Sequence, residues 1–231
     1  MNTQKEGEKR TKTPWPTARV MEQIYAQNLW GGTTGEFYSG IGSHDPGIIK
    51  PYVEVVTSFL NAFRSPLTVC DFGCGDFNVG KELVPYTKHY SAVDIVPSLI
   101  ARNKKLFKSE NLEFLCLDIA KEELPKGDCV LLRQVLQHLS NAEIQKILPK
   151  LSNFKYVVLT EHLPTGNFEA NTDIISSQGT RLKKQSGVDL LLPPFNLKVS
   201  AKKQLLSVRV NNGREVIVTT LYQWKESCNS F

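Results

Sequence analysis

Two closely spaced glycines follow an apolar run of strand type, in the stretch DFGCGDFN at residues 71–78. Glycine permits a sharp turn and a close approach of the backbone to a ligand. A ligand at the turn Gly73–Gly75 would lie at the carboxyl end of the strand and near the N-terminus of the next helix. The spacing therefore predicts a binding loop.

Two acidic residues end the next two strand patterns. Asp94 stands nineteen positions after Gly75, where a carboxylate can accept hydrogen bonds from both hydroxyls of a ribose. Asp118 ends the third strand pattern, where an adenine amino group could find an acceptor. Together with the glycine turn, these acids predict a nucleoside site.

The charge around the turn favours one nucleoside class over another. A nicotinamide dinucleotide loop usually has a third glycine where this chain has Asn78. Asp71 and Asp76 would repel a pyrophosphate by several kcal/mol, at a rough effective dielectric of about 20. S-adenosylmethionine carries a sulfonium and an ammonium and no phosphate, so we expect it as the cofactor, with a nicotinamide cofactor as the alternative.

The segments VCDFGCGDFNVG, AVDI, FLCLDI and DCVLLRQVLQHLS resemble successive motifs of class I S-adenosylmethionine-dependent methyltransferases, over about residues 45–224. The resemblance implies a seven-stranded, mostly parallel, doubly wound α/β sheet of Rossmann-like type. Its C-terminal hairpin would be antiparallel, with strand seven between strands five and six. The cofactor residues that the resemblance implies are Asp71, Gly73, Cys74, Gly75, Asp94, Ile95, Asp118, Ile119, Arg133 and Gln134. Asp76 departs from the family pattern, in which many members have a third glycine.

Two segments before the glycine turn and one late in the chain resemble an uncharacterised subgroup of the same family. They are WGG at residues 30–32, SGIGS at 39–43 and PPFNL at 193–197. Trp30 is expected to lie over the cofactor, with a place in the core as the alternative.

Three residues near the predicted ligand edge could carry a proton during the reaction. His138 follows strand four, and Glu161 and His162 end strand five. A base placed there contributes roughly 10²–10⁴ in rate for a hydroxyl acceptor. Asp173 and Arg181, in the long segment after strand five, are candidate acceptor contacts.

The sequence predicts a methyltransferase that acts on O or N of a small molecule or sugar. Residues 181–203 carry a charge of +5, which favours an anionic acceptor. RNA or protein methylation and a domain that binds the cofactor without turnover are the alternatives. Positioning of the acceptor is expected to supply most of the rate enhancement.

The elements that must position these residues alternate between strand and helix from residue 67 onward. Near-continuous apolar strands indicate a sheet covered on both faces. Helices are expected at 16–28, at about 45–63, at 77–86, at 97–108 and at 134–150, and a hairpin at 204–224. The expected organisation is a disordered basic tail (1–13), helices with a glycine-rich covering loop (14–64) and a core (65–231) that contains an acceptor-side lid (162–203).

Composition excludes several classes. Hydrophobic residues make up 41% and charged residues 22%, as in ordinary globular proteins. No apolar run is long enough to span a membrane, and the polar start lacks the apolar region of a signal peptide. The five cysteines include no CxxC pair, so we expect reduced thiols, no metal site and a cytoplasmic location.

Overall fold

The computed structural model describes residues 14–33 and 36–224. The predicted tail and Cys228 lie outside this part. One seven-stranded sheet has the strand order β3-β2-β1-β4-β5-β7-β6. Its strands are β1 Thr68–Phe72, β2 His89–Asp94, β3 Leu112–Cys116, β4 Cys129–Arg133, β5 Tyr156–Pro164, β6 Ala201–Val210 and β7 Glu215–Gln223. The predicted α/β fold is confirmed, including the position of β7 between β5 and β6.

Four helices pack on the sheet: α1 Thr17–Ala26, α2 Pro46–Leu60, α3 Pro97–Leu106 and α4 Asn141–Leu151. The sequence explains where α2 begins. Asp45 is the N-cap, its Oδ1 accepts from Gly47 N at 2.7 Å, and Pro46 fills the first turn.

Parallel pairing brings the functional edge together. β1 lies between β2 and β4, so Phe72 is in register with Val93 and with Leu132. The carboxyl ends of β1 to β5 therefore share one edge of the sheet. β7 runs antiparallel to β5, so its first residue, Glu215, returns to that same edge beside Pro164.

The apolar core lies on both faces of the sheet, as the unbroken apolar strands predict. On one face, Ile24 of α1 and Ile144 of α4 pack with Val130. On the other, Val56 of α2 packs with Val69 and Leu131. Alternate residues of each strand point to opposite faces of the sheet and pack in both cores. The residues at the ends of the strands are therefore held rigidly.

One predicted helix is wrong, and another begins seven residues later than predicted, at Asn141. Residues 77–86 form two 3-10 turns, Gly80–Glu82 and Val84–Tyr86, the second with a proline in its first turn. After β4, Gln134 takes a left-handed φ of 57°, and only a 3-10 turn, Leu136–His138, precedes α4. The Ser140 side chain caps α4 by accepting from Glu143 N. The result is an irregular loop at the functional edge.

Within residues 14–33 and 36–224, no helix combines the length and apolarity that crossing a bilayer requires. In the same part of the chain, no three His, Cys, Asp or Glu side chains are grouped so as to hold a metal ion.

Candidate functional site

The turn after β1 has the backbone that only glycine adopts readily. Gly73 and Gly75 have φ values of 77° and 57°. Gly73 N and Cys74 N both donate to Val93 O, at 2.8 and 2.9 Å, which fixes the turn against β2. A Cβ on Gly73 would overlap Val135 Cγ2, and one on Gly75 would overlap Ser39 Oγ. The turn therefore leaves no space for larger residues.

Asp94 is locked to that turn from the end of β2. Its Oδ2 accepts from Gly75 N at 3.0 Å, and its Oδ1 accepts from Val96 N at 3.1 Å. Burial raises the pKa of Asp94 to about 6, although these backbone donors favour the charged form. Asp118 stands two residues beyond β3, where Oδ1 accepts from Ala120 N and Oδ2 pairs with Lys121 Nζ at 2.8 Å.

A buried carboxylate, Asp71, and a half-buried guanidinium, Arg133, lie near the turn. Tyr90 Oη donates to Asp71 Oδ2 at 2.9 Å, and burial raises the pKa of Asp71 to about 7. The charge of Arg133 opposes that rise. The Arg133 guanidinium lies 4.9 Å above the Tyr52 ring and donates to Ser43 Oγ at 3.2 Å. These contacts connect the ends of β1 and β4 to Ser43 and Tyr52.

Asp76 binds the covering loop, which we define as residues 36–45. Its Oδ2 accepts from Ser39 N at 2.8 Å and lies 2.6 Å from His44 Nε2. Asp76 N donates in return to Ser39 Oγ at 2.8 Å, and Asn78 Nδ2 donates to Ser43 O. Asp76 therefore fastens the covering loop to the glycine turn, and part of its charge is compensated there.

A cavity of about 470 Å³ lies between the sheet edge and the covering loop. Trp30 forms part of its wall, with its ring edge-to-face with Tyr25 at 5.3 Å and tilted against His138 at 5.3 Å. The predicted site residues that line the cavity are Trp30, Asp71, Gly73, Cys74, Gly75, Asp94, Ile95, Asp118, Ile119, Arg133, Gln134, His138 and His162. An elongated ligand could contact the ends of four strands at once.

Residues 70–154 match the family model of a methyltransferase domain. This stretch contains the glycine turn, Asp94, Asp118 and the loop after β4. The chain carries a methyltransferase domain. Its strand order and antiparallel β7 give it the class I S-adenosylmethionine-dependent methyltransferase fold.

Solved structures support that fold. The N-methyltransferase NodS from Bradyrhizobium japonicum, crystallised with S-adenosyl-L-homocysteine, superimposes with a TM-score of 0.62 at 10% identity, over 89% of this chain and 100% of that chain. The Burkholderia thailandensis 1,6-didemethyltoxoflavin N1-methyltransferase gives a TM-score of 0.60 at 13% identity, over 93% and 94%. Magnesium protoporphyrin IX methyltransferase from Synechocystis gives 0.56 at 14% identity, over 92% and 100%.

One curated relative matches part of the methyltransferase. It is a protein from Chlamydia pneumoniae described as an uncharacterized RNA methyltransferase, 25% identical over 146 residues. The match covers 59% of this chain and 35% of the relative, so it spans about a third of that protein's length.

Three predicted site residues do not reach the cavity wall. Glu161 is 3% exposed, and it points to the opposite face of β5 from His162 because strand residues alternate. Asp173 is exposed, and its Oδ1 accepts from Asn141 N at 2.8 Å at the start of α4. Arg181 is 1% exposed and lies in the interior. Glu161 was predicted to carry a proton, and Asp173 and Arg181 were predicted to contact an acceptor, but none of the three side chains lines the cavity.

Arg181 instead holds the loop after β4. Its guanidinium donates to Leu136 O at 3.1 Å, to Leu139 O at 2.8 Å and to Asn141 Oδ1 at 2.6 Å. Burial raises the pKa of Glu161 to about 8, and the Arg181 charge opposes this rise. These two side chains support the cavity wall from behind.

His138 lies in the wall with both ring nitrogens engaged. Nδ1 is 3.3 Å from Gly179 O, and Nε2 is 3.2 Å from Gln137 Nε2. The carbonyl requires a proton on Nδ1, which leaves Nε2 as the acceptor of the amide hydrogen. Burial lowers the pKa of His138 to about 4, so the ring is neutral at physiological pH. These contacts favour a structural role for His138 over acid or base work.

Sequence reasoning missed several wall residues, among them Tyr52, Tyr90, Gln137 and Glu143. Only Glu143 had a local signal, because Ser140 and Glu143 have capping-box spacing. Its carboxylate accepts from Ser140 Oγ at 2.8 Å and also from Thr17 Oγ1 and Ser176 Oγ. Glu143 thus joins α1, α4 and the segment after β5, which no local pattern reveals.

Proposed function

We propose that this methyltransferase transfers a methyl group from S-adenosylmethionine to O or N of a small molecule. The observation that carries the proposal is the cavity itself, which places the glycine turn, Asp94 and Asp118 along one wall. When bound, S-adenosylmethionine supplies an electrophilic methyl group on a sulfonium. A ribose would meet Asp94, an adenine would meet Asp118 and Ile119, and the methionine ammonium would meet Asp71.

The chain fits this cofactor in size and charge. The cavity is long enough to extend from Asp118 to Arg133, and its volume suits a nucleoside with a short chain. Acidic side chains are common in the wall, among them Asp71, Asp94 and Asp118, which favours a cation over a pyrophosphate. The residues would therefore bind and orient the donor, and the covering loop would exclude water.

The structure gives no support to an anionic acceptor. Lys183 and Lys184 are exposed and lie outside the cavity wall, and Lys184 Nζ donates to Asp173 O. On the acceptor side the wall has Gln137, His162, Gln178 and Thr180, which are hydrogen-bonding groups without a permanent positive charge. We therefore favour a neutral polar small molecule or sugar.

An RNA acceptor is the second candidate, and it rests on the partial match to the Chlamydia pneumoniae relative. It predicts binding that weakens steeply with salt, as phosphate contacts require.

The test has two stages. Calorimetry first measures binding of S-adenosylhomocysteine and, separately, of a nicotinamide dinucleotide. The protein is then incubated with donor labelled in the methyl group and with fractions of a cell extract containing small molecules, glycans, protein or RNA. Binding of S-adenosylhomocysteine and label in the small-molecule or glycan fraction would support the proposal. Label in RNA would favour the second candidate. Binding without label in any fraction would indicate a non-catalytic domain, and binding of the dinucleotide alone would contradict the cofactor.

A further inference from the structure

A second acidic residue stands beside His162 on the neighbouring strand. His162 lies near the end of β5, and Glu215 opens the antiparallel β7. The atoms His162 Nε2 and Glu215 Oε2 are 2.8 Å apart, and the two side chains are 18% and 26% exposed. Glu215 is also held by Asn211 Nδ2, which donates to the same oxygen. The pair is therefore fixed by the β6–β7 hairpin.

This contact favours Nδ1 as the basic ring nitrogen. The Glu215 carboxylate lies 2.8 Å from Nε2 without being aligned as a hydrogen-bond acceptor, and its negative charge favours a proton on that nitrogen. Nδ1 then keeps its lone pair. Among the described residues, no hydrogen bond to Nδ1 is found. Burial lowers the pKa of His162, while Glu215 opposes that shift. The side chain that contacts His162 from the loop after β4 is the uncharged Gln137, whose Oε1 accepts from His162 N at 3.0 Å.

The other titratable groups near the acceptor side are already committed. Both ring nitrogens of His138 have partners, and Glu161 lies on the opposite face of β5 outside the cavity wall. Asp71 accepts from Tyr90 below the glycine turn, on the side that we assign to the donor's ammonium. His162 is thus the cavity-lining residue of β5 with a lone pair available for a substrate proton.

We propose that His162 is the general base for a hydroxyl acceptor and that Glu215 is its positioning residue. This inference rests on the proposed function and names the acceptor class as an alcohol or phenol. A neutral amine can attack first and lose its proton later, and a carboxylate has no proton to lose, whereas a hydroxyl benefits from a base during attack.

The acceptor oxygen forms a bond to the methyl carbon while its proton moves to His162 Nδ1. The electron pair of the broken carbon–sulfur bond stays on sulfur, which becomes a neutral thioether. The imidazolium that forms lies beside the Glu215 carboxylate and afterwards releases its proton to water.

The first experiment needs no acceptor. The chain has four histidines, so nitrogen NMR of histidine-labelled protein can resolve each ring, with His162→Gln assigning the signal. We expect the Nε2-protonated tautomer for His162, and we expect Glu215→Ala to lower its pKa. The exposed pair His89 and Glu113, 3.1 Å apart and outside the cavity, supplies the matched control Glu113→Ala. An Nδ1-protonated ring, or equal effects of the two variants on His162, would overturn the inference.

The second experiment uses the extract fraction that takes up label. Hot hydriodic acid releases the methyl of an O-methyl ether as methyl iodide, mild alkali releases that of an ester as methanol, and an N-methyl group resists both. We expect methyl iodide and a rate loss of roughly 10²–10⁴ in His162→Gln. A loss of roughly tenfold is expected in Glu215→Ala, and none in Glu113→Ala.

The outcomes separate the two proposals. Label in an N-methyl or ester product, or full activity of His162→Gln, would reject the hydroxyl inference and leave the methyltransferase proposal standing. Absence of both S-adenosylhomocysteine binding and label would reject the two together. Calorimetry with S-adenosylhomocysteine on His162→Gln should match the unmodified protein, which separates loss of the base from loss of the fold.

Discussion

The two ends of the cavity are held in different ways. On the cofactor side, Gly75 and Asp94 are fixed by backbone hydrogen bonds between adjacent strand ends. On the acceptor side, the wall Leu136–Leu139 depends on the Arg181 side chain, which comes from more than 40 residues later in the chain. The first arrangement follows from local backbone geometry, and the second from a single long-range group.

If the two ends bind donor and acceptor as we propose, this difference would let one fold keep its donor and change its acceptor. Turns and strand ends preserve the donor geometry whatever the later segment does. The segment between β5 and β6 has one short 3-10 turn, Arg181–Lys184, and can vary in sequence as long as it supports the wall. Substitutions at the Arg181 end should therefore change mainly the free energy of unfolding, and substitutions at the Asp94 end should change mainly the affinity for the ligand.

Arg181→Met should give the largest effect, on stability. It leaves the carbonyls of Leu136 and Leu139 without their guanidinium donor. Each buried acceptor that loses its donor costs about 1–3 kcal/mol, so the two together should cost about 2–6 kcal/mol. Urea unfolding followed by circular dichroism measures this loss.

The matched control is Lys183→Met, which removes an exposed cation from the same turn. Its free energy of unfolding should stay within about 0.5 kcal/mol of the unmodified protein. Similar losses in both variants would mean that Arg181 does not support the wall.

Asp94→Asn should act on affinity instead. It removes the charge expected to bind the ribose hydroxyls and weakens the bonds to Gly75 N and Val96 N. Hydrogen bonds to charged groups contribute about 1.5–3 kcal/mol, so affinity for S-adenosylhomocysteine should fall roughly 10- to 150-fold. Isothermal calorimetry measures the change.

Asp128→Asn is the control, because Asp128 also accepts from a strand N–H, that of Thr68, but at the opposite edge of the sheet. It should leave the affinity unchanged. Equal losses in the two variants would show that Asp94 acts through stability and does not contact the ligand.

The residues that we assign to the cofactor have local signals in the sequence. Gly73 and Gly75 need left-handed backbone, and Asp94 ends an apolar run, so both are visible without a structure. Glu161 was predicted to carry a proton because it ends β5, and Arg181 was predicted to contact an acceptor because it lies in the segment after β5. Their burial depends on tertiary contacts with the loop after β4, which the sequence predicted as a regular helix. The contact of Glu215 with His162 could not be predicted either. It depends on the register between β5 and β7, which has no local signature in the sequence.

His138, where the two sides meet, should give the smallest effect, and one that depends on pH. Its pKa is about 4 in the folded protein and would be about 6.5 when unfolded, so the unfolded chain binds the extra proton between those values. Stability is therefore fully present above about pH 6.5 and is lost as the pH falls toward 4, by about 1–2 kcal/mol at pH 5. His138→Gln should remove this part of the pH dependence, measured by urea unfolding at pH 5 and 7. His89→Gln makes the same substitution at a half-exposed histidine outside the cavity and serves as the control. If His138→Gln leaves the change in unfolding free energy between pH 5 and pH 7 unaltered, the His138 ring can take up a proton in the folded protein. His138 would then be a candidate acid or base beside His162.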